Sequence, residues 1–508
     1  MSTPTVVIAG AGPTGLALAC GLRAAGISVR VVDKAREPAV TSRALGLQPR
    51  GSEVLDRLGA LDDLPRRSLP VRQTILHVGG EPVARLRFGR RTNLVTRPAL
   101  LVSQAEVEAR LRQRLAELGT EVEWDRELLA ADQDGEGVTV RLPDERLRAD
   151  WLVGCDGAHS RVRKAAGIDF PGVPVVERFL LADVRVALPL PRDTVSVWLS
   201  ADRMIGVFPL PGTDLWRLMA PAPAGTGTDT GTDTGTDAVL AALLGVLRDQ
   251  ADLAGEEVRE TLWTSTFRIH RRLASTYRRA RILLSGDAAH IHSPFGGQGL
   301  NTGLGDAENL AWKLALVATG RARDALLDTY QAERRPIAEG VLESTSTATR
   351  LVVGQTPPAR MARDHLFAPL LNRPLVQRLI WEEMSQLKVS YRRGPLAPRR
   401  LRTAPTPRPR AGDRVPDLEC VREDGGRTRL HTELGARWAL VAPAAAAADL
   451  ATVARRHLGE TNTAVLVPVT GGRRALLVRP DGHLAWSGTS PATLDRWLTR
   501  VLGDGHVR

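Results

Sequence analysis

The feature that most narrows the fold is a run of six residues, GAGPTG, from Gly10 to Gly15. It follows TVVIA (5–9), a β-branched apolar run, and opens an Ala/Leu-rich segment of helical texture from Thr14 to Ala25. A second apolar run, SVRVVD, ends at Asp33. Strand, glycine turn, helix and strand in that order give the spacing G-x-G-x-x-G its meaning as a dinucleotide-binding turn. Gly10 permits the tight turn, Gly12 lets backbone approach a pyrophosphate, and Gly15 lets the helix pack closely on the strand. Pro13 and Thr14 start the helix, whose N-terminal N–H groups face the phosphates. Asp33, followed by Lys34, is placed to accept hydrogen bonds from a ribose. The competing reading is a structural glycine turn with an exposed Asp33.

The chain continues in the same texture. Apolar residues recur at helical spacing from Gln104 to Leu118, and EVEW (121–124) reads as another strand of the same sheet. VTVRL (138–142) and DWLVGCDG (150–157) continue the pattern into a basic helix start, so most of the first 170 residues read as one doubly wound unit. Residues 71–101 differ, because ILHVGG and ARLRFG alternate like strands of another sheet. From about 175 to 269, short runs such as VSVWLS, MIGVFPLPG and LWRLMAP are separated by Pro and Gly, the texture of an antiparallel sheet with a solvent side. Within it, APAGTGTDTGTDTGTD (222–237) reads as a low-complexity surface loop. It offers no second dinucleotide fold for a nicotinamide.

A second glycine-rich stretch, GDAAHIHSPFGGQGLN (286–301), follows the buried-strand pattern RILLSG. Asp287 at the strand end reaches a ribityl or ribose hydroxyl. Pro294 fixes the backbone before Phe295, Gly296 and Gly297, where missing side chains let main-chain groups lie against a flat ring. Asn301 and Thr302 begin a helix that runs on from about Gly305 to Thr319. A helix N-terminus stabilises negative charge developing on such a ring, as at the pyrimidine edge of a reduced flavin. His290 and His292 alternate as strand metal ligands would, but no third ligand stands at metal spacing and HEXXH is absent. They read as loop-packing or ring-lining residues.

Composition removes other classes. With 508 residues there is room for two or three cores. No run of eighteen apolar residues could span a bilayer, and MSTPTVVIAGAG has neither a charged n-region nor a separate apolar h-region, so a soluble cytoplasmic protein is expected. Cys20, Cys155 and Cys420 stand singly, without a disulfide framework or a CxxC pair. The net charge of +12 comes from arginines spread over the whole length, which argues against nucleic acid as a partner and for attraction of anionic cofactors. Residues 392–416 are crowded with Arg and Pro and read as a linker. Beyond them WALVAP, TAVLVPV and RALLVRPDG, with helices near 447–457 and 491–502, make a small α/β domain without a visible catalytic constellation.

GAGPTG, GCDGAHSRVR and GDAAHIHSPFGGQGLNTGLGDAENLAWKLA, in that order and spacing, resemble the FAD-dependent aromatic hydroxylases of the single-component group typified by p-hydroxybenzoate and phenol hydroxylases. The resemblance covers about residues 4 to 390. The part with LLVRPDGHLAWSG resembles the thioredoxin-like appendage of hydroxylases that tailor aromatic polyketides, here without a redox cysteine pair. An architectural role for it follows.

The resemblance implies an α/β chain: a Rossmann-like FAD-binding domain (1–70, 102–174 and 276–390), an inserted antiparallel-sheet substrate domain (71–101 and 175–275), a linker (391–412) and a thioredoxin-like domain (413–508). It implies that Gly10, Gly12, Gly15 and Asp33 hold the ADP half of FAD, with Asp33 standing where the family usually has Glu. Arg43 falls near the pyrophosphate and flavin, Gln104 on the ribityl side, and Leu128 beside adenine through its backbone. Asp156 and Arg161 match a motif tied to FAD and NADPH, and the competing reading is that they cap a helix. Asp287 meets the ribityl chain and pyrophosphate. Pro294, Gly296, Gly297, Gln298, Gly299, Leu300 and Asn301 border the isoalloxazine, the first and the two glycines after it lying at the flavin C4a.

The implied reaction uses NADPH or NADH and O₂ to place one oxygen atom on a polycyclic aromatic polyketide by way of a C4a-hydroperoxyflavin, in a monomer or homodimer. Baeyer–Villiger or epoxidising chemistry on a related quinone is the nearest alternative. A flavin-binding redox sensor or scaffold is another. No general base is identified: His77, His270 and Arg268 lie in or beside the substrate sheet, where structural roles compete. Trp216, Phe208 and Met204 suit either a flat ligand or a core.

Overall fold

The computed structural model describes residues 4–41, 44–88, 92, 94–200, 203–222, 235–251, 257–292, 297–353, 368–397 and 409–503. Val6–Ala9, the strand before the glycine turn, sits inside a six-stranded sheet. Val29–Val32 and Trp151–Gly154 flank it in parallel, with Val122–Glu123 and Ile282–Leu284 beyond them, and antiparallel Arg278–Arg279 closes one edge. Val6–Ala9, Trp151–Gly154 and Ile282–Leu284 are buried along their whole length. A parallel sheet covered on both faces requires this, and it explains why these strands read as unbroken apolar runs.

Helix Pro13–Ala24 crosses helix Gly299–Ala318 so closely that a Cβ at Gly21 would stand 2.8 Å from the Ala311 Cβ. The second helix begins six residues before the expected Gly305 and is buried on all sides from Leu300 to Leu316. Asn301 and Thr302 therefore lie inside its first turn rather than starting it. A second correction concerns VTVRL. Val138–Arg141 leaves the parallel sheet and forms the middle of an antiparallel trio with Ala130–Gln133 and Arg146–Ala149. The alternation of buried Val138 and Val140 with Thr139 and Arg141 is the mark of a sheet wet on one side.

A larger sheet runs in the order His290–Ile291, Glu260–Leu273, Gly172–Arg185, Leu215–Pro221, Arg203–Pro209, Thr194–Ser200, Gln73–Val78, Glu81–Arg87. Its pairings are antiparallel except that Thr194–Ser200 runs parallel to Gln73–Val78. The two alternating sets of side chains do different work. On one face Leu180, Ala182, Val184, Trp198, Trp216 and Leu218 pack against helix Thr236–Ala251 through Val239, Leu243 and Leu247. The opposite face presents Phe179, Leu199, Met204 and Met219.

At the C-terminal end a six-stranded sheet has the order Arg427–Arg429, Glu419–Arg422, Thr463–Pro468, Trp438–Val441, Ala475–Val478, Leu484–Gly488. Helices Ala444–Leu458 and Pro491–Leu502 cover it, and their apolar core is continuous with Trp312, Leu316 and Leu326. Trp312 meets Trp438 edge to face with ring centres 5.1 Å apart. Cys20, Cys155 and Cys420 are all free thiols, and burial pushes Cys420 up to about 11.

Candidate active site

The three turn glycines meet different surroundings. Gly10 has φ +105°, and a Cβ there would run into the Cys155 backbone; one at Gly15 would overlap the Gly10 carbonyl oxygen. At Gly12 a Cβ would meet nothing within 4 Å. The protein itself thus fills the space at the first and third glycines and leaves it open at the second. Gly12, Pro13 and Thr14 line a large cavity, and no side chain caps the helix at Gly12, so its first N–H groups are left for an anion.

Asp33 accepts the Ala11 N–H at 2.6 Å and the Ala35 N–H at 2.8 Å. The carboxylate is therefore fixed beside the turn, and each oxygen keeps a lone pair for a hydroxyl. Lys34 is exposed, and Leu128 is buried in the core next to a segment whose Arg126 N–H bonds the Asp33 carbonyl. Asp156 acts as a helix cap: it accepts the N–H groups of Arg161 and Val162 at 2.7 and 3.1 Å and the Ser160 hydroxyl. The Arg161 side chain turns away to Glu127 at 3.0 Å and is half exposed. Neither Asp156 nor Arg161 is among the cavity-lining residues, whereas their neighbours Cys155, Gly157, Ala158 and His159 are.

The second glycine-rich stretch is locked to the first by Thr14. A Cβ at Gly286 would stand 2.6 Å from the Thr14 hydroxyl oxygen, and one at Gly303 would overlap it. These contacts set Asp287 over the cavity beside the glycine turn. Desolvation raises the Asp287 carboxyl above its ordinary pKa, with His290 opposing and Asp306 adding to the rise. Gly297, with φ +59°, Gln298, Gly299 and Leu300 line the same cavity. Arg43, Pro294 and Gly296 lie outside the described residues. Gln104 lines the cavity at the start of helix Gln104–Glu117 and donates to Glu108 at 2.8 Å.

Asn301 does not line the cavity but fixes the loop that does. Its Oδ1 accepts the Gln48 N–H at 2.9 Å, and its Nδ2 donates to the carbonyls of Gly46 at 3.0 Å and Gly297 at 2.8 Å. His290 is likewise engaged: its Nε2 lies 2.6 Å from Asp306, which also takes Arg334 Nε at 2.6 Å and the Gly286 N–H at 3.2 Å. Among the described residues no cluster of three side chains is arranged to hold a metal ion. Sequence reasoning missed Asp306, and it named Thr14 at the helix start without its contacts to Gly286 and Gly303. The signal for Asp306 was present, since Asp, Glu and Lys interrupt the otherwise apolar helix GLGDAENLAWKLA.

The cavity has a volume of about 1630 Å³ and extends from the glycine turn to the free face of the large sheet. That exceeds the roughly 300–1,000 Å³ of a site for one drug-sized ligand. Met204, Phe208, Met219 and Phe267 line the sheet end, and Trp381 and Met384 of helix Pro374–Met384 close over it. Trp216 and His77 are not there. Trp216 belongs to the opposite face, and His77 stacks on Trp198, which packs on that face, with ring centres 4.6 Å apart. Period-two alternation along each strand decides this. His270 and Arg268 do line the cavity, and burial together with Arg272 and Arg268 lowers the His270 pKa. Arg217 joins them, paired in a bidentate bridge to Asp183 at 2.7 and 2.8 Å.

A glycine turn open at Gly12, a carboxylate at Asp33 fixed beside that turn and a cavity-facing Asp287 suit an FAD, and the apolar sheet wall leaves room for a second ligand: this is a flavin-nucleotide enzyme by its site. The comparisons agree. Residues 3–345 match the family model for the FAD binding domain, and residues 408–505 match that for the aromatic-ring hydroxylase C-terminal domain. The chain is 36% identical to 6-methylpretetramide 4-monooxygenase of Streptomyces rimosus, over 96% of this chain and 92% of that one. It is 37% identical to 12-dehydrotetracycline 5-monooxygenase/anhydrotetracycline 6-monooxygenase of the same species, over 98% and 97%. Among solved structures it resembles OxyS anhydrotetracycline hydroxylase from Streptomyces rimosus at 34% identity and a TM-score of 0.79, covering 99% and 100% of the two chains. The chain belongs to the FAD-dependent aromatic-ring hydroxylases and is a flavoprotein monooxygenase.

Proposed function

We propose that the chain consumes NAD(P)H and O₂ to insert one oxygen atom into a polycyclic aromatic polyketide, by hydroxylation. The observation that carries this reading is the single cavity of about 1630 Å³ joining the glycine turn to an apolar sheet wall. Bound FAD would supply the electron transfer from the nicotinamide and the activation of oxygen. The protein's part is to hold and to exclude. The open backbone at Gly12 takes the pyrophosphate, Asp33 the adenosine ribose and Asp287 the ribityl hydroxyls. Gly297 to Leu300 border the ring, and the wall of Met204, Phe208, Met219 and Phe267 lies against a flat substrate and keeps water out. The relatives named above carry 6-methylpretetramide, 12-dehydrotetracycline and anhydrotetracycline in their names, which supports a substrate of that kind. Under this reading 1–70, 102–174 and 276–390 serve FAD, 71–101 and 175–275 serve the substrate, and 413–508 is an appended domain. The nicotinamide binds transiently, without a dinucleotide fold of its own.

Mass spectrometry of products from purified protein, NADPH, oxygen and a panel of multi-ring phenols and quinones tests the proposal. A product heavier by one oxygen atom with its ring size intact is expected. Ring expansion would overturn hydroxylation, and NADPH oxidation that yields only hydrogen peroxide across the panel would overturn the substrate class.

A further inference from the structure

Helix Gly299–Ala318 reaches from the flavin bed to the C-terminal sheet, and polar side chains hold it at both ends. At the flavin end Asn301 ties Gly46, Gln48 and Gly297 together. Two to three turns on, about 12 to 16 Å away at 1.5 Å per residue, Asn309 Nδ2 and Trp312 Nε1 each donate to Asp481 Oδ2 at 3.3 Å. Asp481 belongs to the turn between strands Ala475–Val478 and Leu484–Gly488. Its backbone carbonyl accepts Arg50 Nη2 at 2.7 Å, and its carboxylate accepts Arg479 Nε at 3.0 Å.

Arg479 extends the tie. It makes a bidentate bridge to Glu333 at 2.8 and 2.9 Å, and Glu333 also holds Lys313 and Asn309 of the same helix at 2.8 Å each. The next residue, Arg334, bonds the Thr302 carbonyl at 3.0 Å and Asp306 at 2.6 Å. Asp306 in turn holds His290 and the Gly286 N–H, on either side of Asp287. Each of Asp306, Asn309, Lys313, Arg479 and Asp481 is at most 1% exposed.

Adhesion alone does not call for such a network. Replacing buried ion pairs by apolar side chains of similar volume is often neutral or stabilising, whereas fixed hydrogen-bond geometry specifies register. The apolar contact of Trp312, Leu316 and Trp438 already supplies adhesion beside it. We infer that Arg479 and Asp481 of the C-terminal sheet are positioning residues for the flavin: they set the register of helix Gly299–Ala318 and thereby the placement of Gly297 and Asp287 on the cofactor. The inference rests on FAD occupying the cavity described above and is independent of the substrate.

The test uses the full chain carrying Asp481→Asn, and separately Trp312→Phe, which removes one hydrogen bond and keeps an aromatic ring against Trp438. FAD affinity, the position of the bound flavin's visible absorption bands and the melting temperature of the apo-protein are measured. The expected result is FAD affinity about tenfold weaker for Asp481→Asn and a smaller loss for Trp312→Phe, with displaced flavin bands in both. Wild-type affinity and band positions beside a lowered melting temperature would overturn the inference and leave the network as interdomain glue. Should Asp481→Asn not fold, Trp312→Phe decides by the same two readouts. A wild-type chain with no affinity for FAD would instead overturn the cofactor reading itself, while a wrong substrate class leaves these measurements untouched.

Discussion

Asn301 and Gln48, 253 residues apart in sequence, are joined by a buried hydrogen bond of 2.9 Å from the Gln48 N–H to Asn301 Oδ1. The same amide holds the carbonyls of Gly46 and Gly297, so one side chain pins the two backbone segments that line the cavity there. A Cβ at Gly51 would overlap that Oδ1, which leaves the amide no room to swing toward this neighbour. Asn301→Ala removes three hydrogen bonds, one of them fully buried, and should destabilise the protein by about 3 kcal/mol. Its FAD affinity should fall as well. Chemical denaturation and flavin titration check both.

The turn glycines should separate by their surroundings. Gly12→Ala adds a methyl group where the protein has open space and φ is −71°, so the apo-protein should melt within about 0.5 kcal/mol of wild type while FAD affinity collapses. Gly15→Ala drives a Cβ into the Gly10 carbonyl oxygen and should cost about 3 kcal/mol or more before any ligand is added. Apo-protein melting curves set against FAD titrations distinguish the two. Equal losses of stability would count against the placement of the pyrophosphate at Gly12.

Asp287 faces the cavity from an exposed position, and its surroundings disfavour its charge in the apo-protein. Its folded pKa is raised by desolvation, so between the ordinary carboxyl value and the raised one the native chain binds more protons than the unfolded chain, and stability falls as pH rises through that window. Asp287→Asn should therefore leave the apo-protein melting no lower than wild type at pH 7. Hydrogen bonds from flavin hydroxyls to a carboxylate would be weakened, and FAD affinity should drop roughly tenfold to a hundredfold. An unchanged FAD affinity would remove Asp287 from the site.

Acid should loosen the seam between the C-terminal sheet and the cofactor-binding part. His431 is buried beside Arg57 and Arg414, and desolvation with those two cations lowers its pKa from 6.5 to about 4 against the pull of Glu53. From pH 6.5 down to about 4 the unfolded chain binds more protons than the native one, so stability is lost through that window. Glu53, whose own burial is outweighed by Arg414, is held well below the carboxylate range and adds its loss at lower pH still. Melting temperatures between pH 7.5 and 4.5 should fall, and His431→Gln should flatten the upper part of the slope.

Legibility in the sequence followed the range of the forces involved. The strand ending at Ala9, the open backbone at Gly12 and the placement of Asp33 beside the turn and of Asp287 at the cavity were readable because backbone geometry and local spacing dictate them, as were the lone cysteines and the six-residue turn motif. VTVRL was assigned to the wrong sheet because a short apolar alternation does not say which neighbour it will bond. Whether Trp216 and His77 face a ligand or the core stayed open, because a strand's composition does not reveal which of its two faces turns inward until register is set by pairing.

What the sequence determined by itself was the chemistry it can host: a dinucleotide turn, a second glycine-rich bed and a family of flavin-dependent hydroxylases. Only the tertiary structure decided which side chains meet. Thr14 against Gly286 and Gly303 is a close approach between distant segments, and Asp306 with His290 and Arg479 and Asp481 with the helix from Gly299 are long-range pairings of buried polar groups. Each such group must find a partner once it leaves water, and which partner it finds depends on the packing of distant segments, not on its neighbours in the chain.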